Sequence, residues 1–152
     1  MKNFLFIITL IISQTVFCQT KIDPVSVSIK RIQNSKQFDA IEYQYVGSRC
    51  GALNNTMGAA FETMSDNKEL PKIYYQDGNL FYSVGMYLGK KEKQSQSFQD
   101  NQYMMLVKMY TQDIKENIEK NNKISDFIWS EVKSCESIKN EFQILDKKLS
   151  SK

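Results

Sequence analysis

FDAIEYQYVGSRCGALNNTMGAAFETM, residues 38–64, decides the fold. Phe38, Ile41, Tyr45, Val46, Cys50, Leu53, Met57, Phe61 and Met64 recur at steps of three and four, which lines one face of a helix. Beside that face lies one of small residues: Ser48, Gly51, Ala52, Gly58 and Ala59. A glycine in a helix interior costs about 1 kcal/mol relative to alanine. A helix carrying Gly47, Gly51 and Gly58 therefore calls for close backbone approach to a neighbour, with the wall of a ligand cleft as the sharper option. Ser65-Asp66-Asn67-Lys68 ends the segment, and Pro71 marks the next boundary.

Downstream, Lys72 to Lys91 reads two ways. Asp77-Gly78 between two apolar-aromatic runs is a hairpin signal. Ile73, Asp77, Phe81, Val84 and Leu88 also fall at helical spacing, with Pro71 suited to a first turn. An isolated hairpin is marginal in water, so helix is the expectation. Lys91 to Gln99 reads as a polar loop. Asp100 to Asn121 follows as a helix capped by Asp100, with Tyr103, Leu106, Val107, Tyr110, Ile114 and Ile118 in period. Ser125 or Asp126 opens a last helix, whose stripe is Ile128, Trp129, Val132, Cys135, Ile138, Phe142 and Leu145, and Leu149 onward should fray.

Upstream, Met1-Lys2-Asn3 is a short basic start, followed by an apolar run from Phe4 to Ile12. That order predicts a secretory signal peptide over residues 1–18, too short to span a bilayer as a helix. Val16 and Cys18 suit a signal peptidase, leaving Gln19 as the first mature residue. The alternative is a lipoprotein tethered to a membrane through Cys18, although Phe17 stands where such signals carry a small residue. Residues 19–36 read as an extended N-terminal arm, interrupted by Pro24 and alternating with period two from Val25 to Ile29.

Export leaves Cys50 and Cys135 in an oxidising compartment, periplasmic or extracellular. Each lies in an apolar stripe, one on the first long helix and one on the last, so a disulfide between them is expected. The expected fold is all-α: an antiparallel bundle of about four helices over 37–149, stapled by that bridge.

The chain has no histidine, which excludes Ser–His–Asp and Cys–His nucleophile pairs and imidazole metal sites. A formal charge of +3 with both signs interspersed argues against a nucleic-acid partner. No transmembrane segment is expected in the mature chain. Methionines 57, 64, 86, 104, 105 and 109 show no copper-type cluster and read as core filler or adaptable binding surface. Neither a cofactor nor a metal is implied, and no catalytic residue is assigned.

Tyrosines give the best hint of a surface. Tyr74, Tyr75, Tyr82 and Tyr87, with Met86, are the candidate binding residues, because tyrosine pairs an apolar ring with a polar tip. Arg49 either anchors an anionic ligand or pairs with a carboxylate. Asn54-Asn55-Thr56 matches a glycosylation sequon but falls within a predicted helix. The expected function is a non-catalytic binding module for a protein or small apolar ligand. The alternatives are a carboxylate-based hydrolase, with acids such as Asp39, Glu42, Glu62, Asp66, Asp77 and Asp113, and a structural envelope subunit.

Overall fold

A computed structural model describes residues 22–151 of the chain. The signal-peptide reading of 1–18 and the first residues of the arm lie outside the described residues. Among the described residues five helices make up an all-α bundle: α1 Val25–Asn34, α2 Ala40–Met64, α3 Glu69–Lys91, α4 Gln96–Asn121 and α5 Asp126–Ser150.

The N-terminal arm is not extended. Val25, Ser28, Ile29 and Ile32 are buried, which is helical spacing, and α1 lays them against α2 and α5. The period-two reading arose because Val27 falls between Val25 and Ile29; it is only half-buried. Pro24 stands at the N-cap with φ −54°, where its missing N–H costs nothing.

Side-chain caps fix the other starts. Asp39 accepts from the backbone N–H groups of Ile41 and Glu42 at 3.0 and 3.1 Å. Ser125 accepts from Ile128 N–H at 3.1 Å, as expected for the last helix. Ser95 accepts from Phe98 N–H at 3.2 Å and starts α4 a turn earlier than Asp100, so part of the anticipated polar loop is helix. α5 runs to Ser150, one residue past Leu149.

α2 is the central element and touches all four others. From Gln44 to Gly58 it is buried on nearly every side. The ends of its anticipated stripe are not: Phe38 and Ile41 are each 56% exposed and Met64 45%. Trp129, read as part of the α5 stripe, is likewise exposed at 40%.

α3 is one continuous helix through Gly78, with no hairpin. Its partner explains why. α2 and α3 run antiparallel along a seam of glycines, Gly47 against Gly85, Gly51 against Gly78 and Tyr82, and Gly58 against Tyr75. A Cβ on Gly47 would stand 2.8 Å from both Gly85 Cα and the Phe81 carbonyl oxygen. Only glycine permits that approach, which is the tight packing the small face called for.

Cys50 and Cys135 are bonded, with Cα atoms 5.6 Å apart, joining α2 to α5. The sequence separation is 85 residues. Closing a loop of that length stabilises the fold by about 4–5 kcal/mol in the chain-entropy picture. Both cysteines are buried, so the bridge is a structural staple.

Candidate functional site

Inside the core, Arg49 is fully buried and so is Glu131. Arg49 Nε donates to Glu131 Oε2 at 3.0 Å and to the Tyr110 hydroxyl at 3.0 Å. Tyr110 donates its own hydroxyl proton to Glu131 Oε2 at 2.7 Å. Glu131 Oε1 accepts the Val25 N–H at 2.8 Å. Arg49 Nη1 donates to the Tyr45 hydroxyl at 2.9 Å and to the Asp23 carbonyl. Nη2 lies 2.7 Å from Glu131 Oε2, but its N–H bonds do not aim at an acceptor, so that contact is ionic rather than a hydrogen bond.

Of the two options for Arg49, the structure shows the carboxylate pair. Burial works against its charge, but the oxygens of Tyr110 and Glu131 outweigh it and hold the guanidinium above its usual pKa. Burial first, and Glu131 second, push the Tyr110 hydroxyl well above the ordinary tyrosine value. The cluster is closed and its ion pair neutral. Its chemistry is to latch the start of α1 onto α2 and α5, since Asp23 and Val25 supply the backbone groups that Arg49 and Glu131 bind.

The other acids are placed apart. Asp39 caps α2, Glu42 pairs with Arg31 at 3.1 Å, and Asp77 pairs with Lys139 at 2.7 Å. Asp113 accepts from Ser125 at 2.6 Å. Among the described residues no three His, Cys, Asp or Glu side chains gather as a metal site would need. Asn54 of the sequon is 5% exposed and donates to the Cys50 carbonyl at 2.8 Å, so its amide is committed to the helix interior.

The candidate tyrosines point in three directions. Tyr74 stacks on Phe61, ring centroids 5.3 Å apart. Tyr75 covers Gly58, and Tyr82 packs against Tyr103 at 4.4 Å on the side facing α4. Met86 is half-buried. Tyr87 faces outward with the Lys91 ammonium 5.1 Å from its ring centre. Burial raises the hydroxyl pKa of Tyr74, Tyr75 and Tyr82, which marks them as partly desolvated rings edging the helix seams.

A different surface gathers apolar groups. Between α2 and α4 runs an open groove of about 650 Å³. Thr56, Ala59 and Ala60 of α2 form one side; Met104, Val107 and Ile118 of α4 form the other. Beyond it the apolar surface continues over Met104 and Met105, which are 62% and 58% exposed. Met104, Val107, Thr111, Lys115 and Ile118 recur at helical spacing on the outer side of α4. Leu106, Tyr110 and Ile114 face the core instead. Sequence reading assigned Val107 and Ile118 to the core stripe of α4. The signal that could have found the groove was the run Met104-Met105, set between Tyr103 and Leu106 of that stripe and read only as core filler or adaptable surface.

No helix among the described residues is long and apolar enough to cross a membrane. Comparison with protein-family models, curated proteins and solved structures gives no match, so no relative lends this chain a function.

Proposed function

We propose that this protein is an exported, non-catalytic binding module whose α2–α4 groove receives an amphipathic helical segment of a partner protein. The observation that carries it is the groove itself: small side chains on the α2 side, flexible apolar ones on the α4 side, and two exposed methionines at its edge. Helix-in-groove recognition uses such a surface, with anchors every three to four residues. Methionine adapts its shape to the partner that arrives. The groove is open along its length, which suits a chain laid into it better than a small molecule enclosed on most sides. The disulfide, and a core that holds α2 rigid beneath the groove, supply the preorganised platform.

A photo-crosslinking side chain placed at Met105 tests this in the producing cell. The expected result is a discrete protein adduct that disappears when Ala60→Glu is added, with none formed from the same group at Tyr87. Adducts of equal yield from both positions, or none from Met105, would remove the groove from the reading.

A further inference from the structure

We propose that the end of the bundle built from the α1–α2 connection, the end of α3, the start of α4 and the end of α5 docks on an anionic phospholipid surface. The inference is independent of the α2–α4 groove.

Three of the most exposed large apolar side chains stand at this end: Phe38 and Ile41 at 56% and Phe98 at 53%. Ile41 joins two open clefts. One, of about 610 Å³, is lined by Phe38, Ile41, Leu88, Leu145 and Leu149; the other holds Phe98 with Ile41. Helix geometry brought these side chains out of the core. Phe38 precedes the Asp39 cap and stacks one face of its ring on Tyr43, leaving the other outward, and Phe98 lies in the first turn of α4.

Around this apolar rim stand Lys36, Lys90, Lys91, Lys93, Lys147 and Lys148, all exposed. None of them pairs with a carboxylate among the described residues. The acids nearby are Asp39, spent on the α2 cap, with Glu92, Asp100 and Asp146, and Asp23 in the Phe98 cleft. Glu42 is neutralised by Arg31. The far end is close to balanced: Glu62, Asp66, Glu69, Glu116, Glu119 and Asp126 stand with Lys68, Lys72, Lys115, Lys120 and Lys123, and Lys72, Lys115 and Lys120 are paired. Six unpaired lysines thus gather at the apolar-tipped end, against Lys68 and Lys123 at the far one.

That combination selects the occupant. Lysines are point charges that need no bidentate geometry, which suits mobile phosphate headgroups. Here they are spread over separate helix ends and connections rather than gathered in a contoured cleft, so a broad anionic surface meets them together. Phe38, Ile41 and Phe98 supply side chains for the acyl boundary, and the lysine stems can lie along it with their ammonium groups at headgroup level.

Sedimentation of the mature, disulfide-bonded chain with vesicles of phosphatidylethanolamine and phosphatidylglycerol tests the proposal, with phosphatidylcholine vesicles alongside. Binding to the anionic vesicles only is expected, with release at high salt. Each lysine near an anionic surface contributes about fivefold in partition. Combined Lys91→Gln, Lys93→Gln, Lys147→Gln and Lys148→Gln should therefore lower binding more than a hundredfold, with an unchanged circular dichroism spectrum. A reporter Phe38→Trp in a Trp129→Phe background should shift its emission to the blue on binding. Native Trp129, at the start of α5 and so roughly 25 Å from Leu145, should not shift in the unmodified chain. Equal binding to phosphatidylcholine, no sedimentation with the anionic vesicles, or indifference to the four substitutions would each overturn it. Charge-dependent capture of an acidic protein without vesicle binding would overturn it too, assigning this end to a protein instead.

Discussion

Glu131 is the only acid inside the described core, and donors from Val25, Arg49 and Tyr110 converge on its two oxygens. Breaking such a buried pair leaves an uncompensated charge and typically costs about 3–5 kcal/mol. Glu131→Gln should lose that much in urea unfolding, whereas Arg49→Met combined with Glu131→Leu should recover at least half. A double variant as unstable as the single would mean that the latch on α1, not the charge, dominates. Tyr110 sets a pH dependence. Its hydroxyl titrates well above 10.0 in the fold, mainly because burial disfavours the phenolate, so its share of stability is complete below 10.0. That share is lost as pH rises beyond 10.0, because the unfolded chain then ionises and the folded one does not. Tyr110→Phe should be less stable at neutral pH, through the lost hydrogen bond, and show a flatter decline in stability above pH 10. Arg49 was singled out in the sequence as an anion anchor or half of an ion pair. Glu131 was not: it sits beside the α5 stripe among other acids, and nothing local to it reports that α1 and α2 will close over it.

The α2–α3 seam belongs to the scale of elements. At Gly47 an added methyl group would meet backbone atoms of Gly85 and Phe81 at 2.8 Å, and backbone cannot swing aside. Gly47→Ala should therefore cost about 1–3 kcal/mol from overpacking, against the roughly 1 kcal/mol that alanine returns in helix propensity. At Gly58 the added methyl meets the ring of Tyr75, also at 2.8 Å, and that half-buried side chain can turn away. Gly58→Ala should be closer to neutral; thermal unfolding of the two variants side by side checks the contrast. The seam was legible because glycines inside an amphipathic period need a reason, and close approach was the simplest. α1 was less so. Its short run fits period two and helical spacing alike, and only burial of Val25, Ile29 and Ile32 against α2 and α5 chooses between them. The start of α4 was missed because Ser95 and Asp100 both make good caps, and the earlier one prevails.

For the molecule as a whole, the five helices of the described residues form a bundle stapled between α2 and α5, with its apolar groove on the α2–α4 side. Reducing the Cys50–Cys135 bridge should lower stability by up to about 4–5 kcal/mol, read from denaturant midpoints with and without reductant. The all-α class and the bridge were readable from periodicity and redox chemistry. The groove was not, because it lies between two helices whose relative placement no local pattern encodes. The tyrosines offered a louder signal that the fold spends largely on its own seams. Methyl NMR of methionine-labelled mature protein, titrated with solubilised envelope proteins of the producing cell, tests most directly the proposal that a partner enters the groove. Shifts confined to Met64, Met104 and Met105, with Met57 and Met86 unmoved, are the predicted result. Movement of Met86 while Met104 and Met105 stay fixed would contradict the groove and return binding to the tyrosine-bearing side of α3.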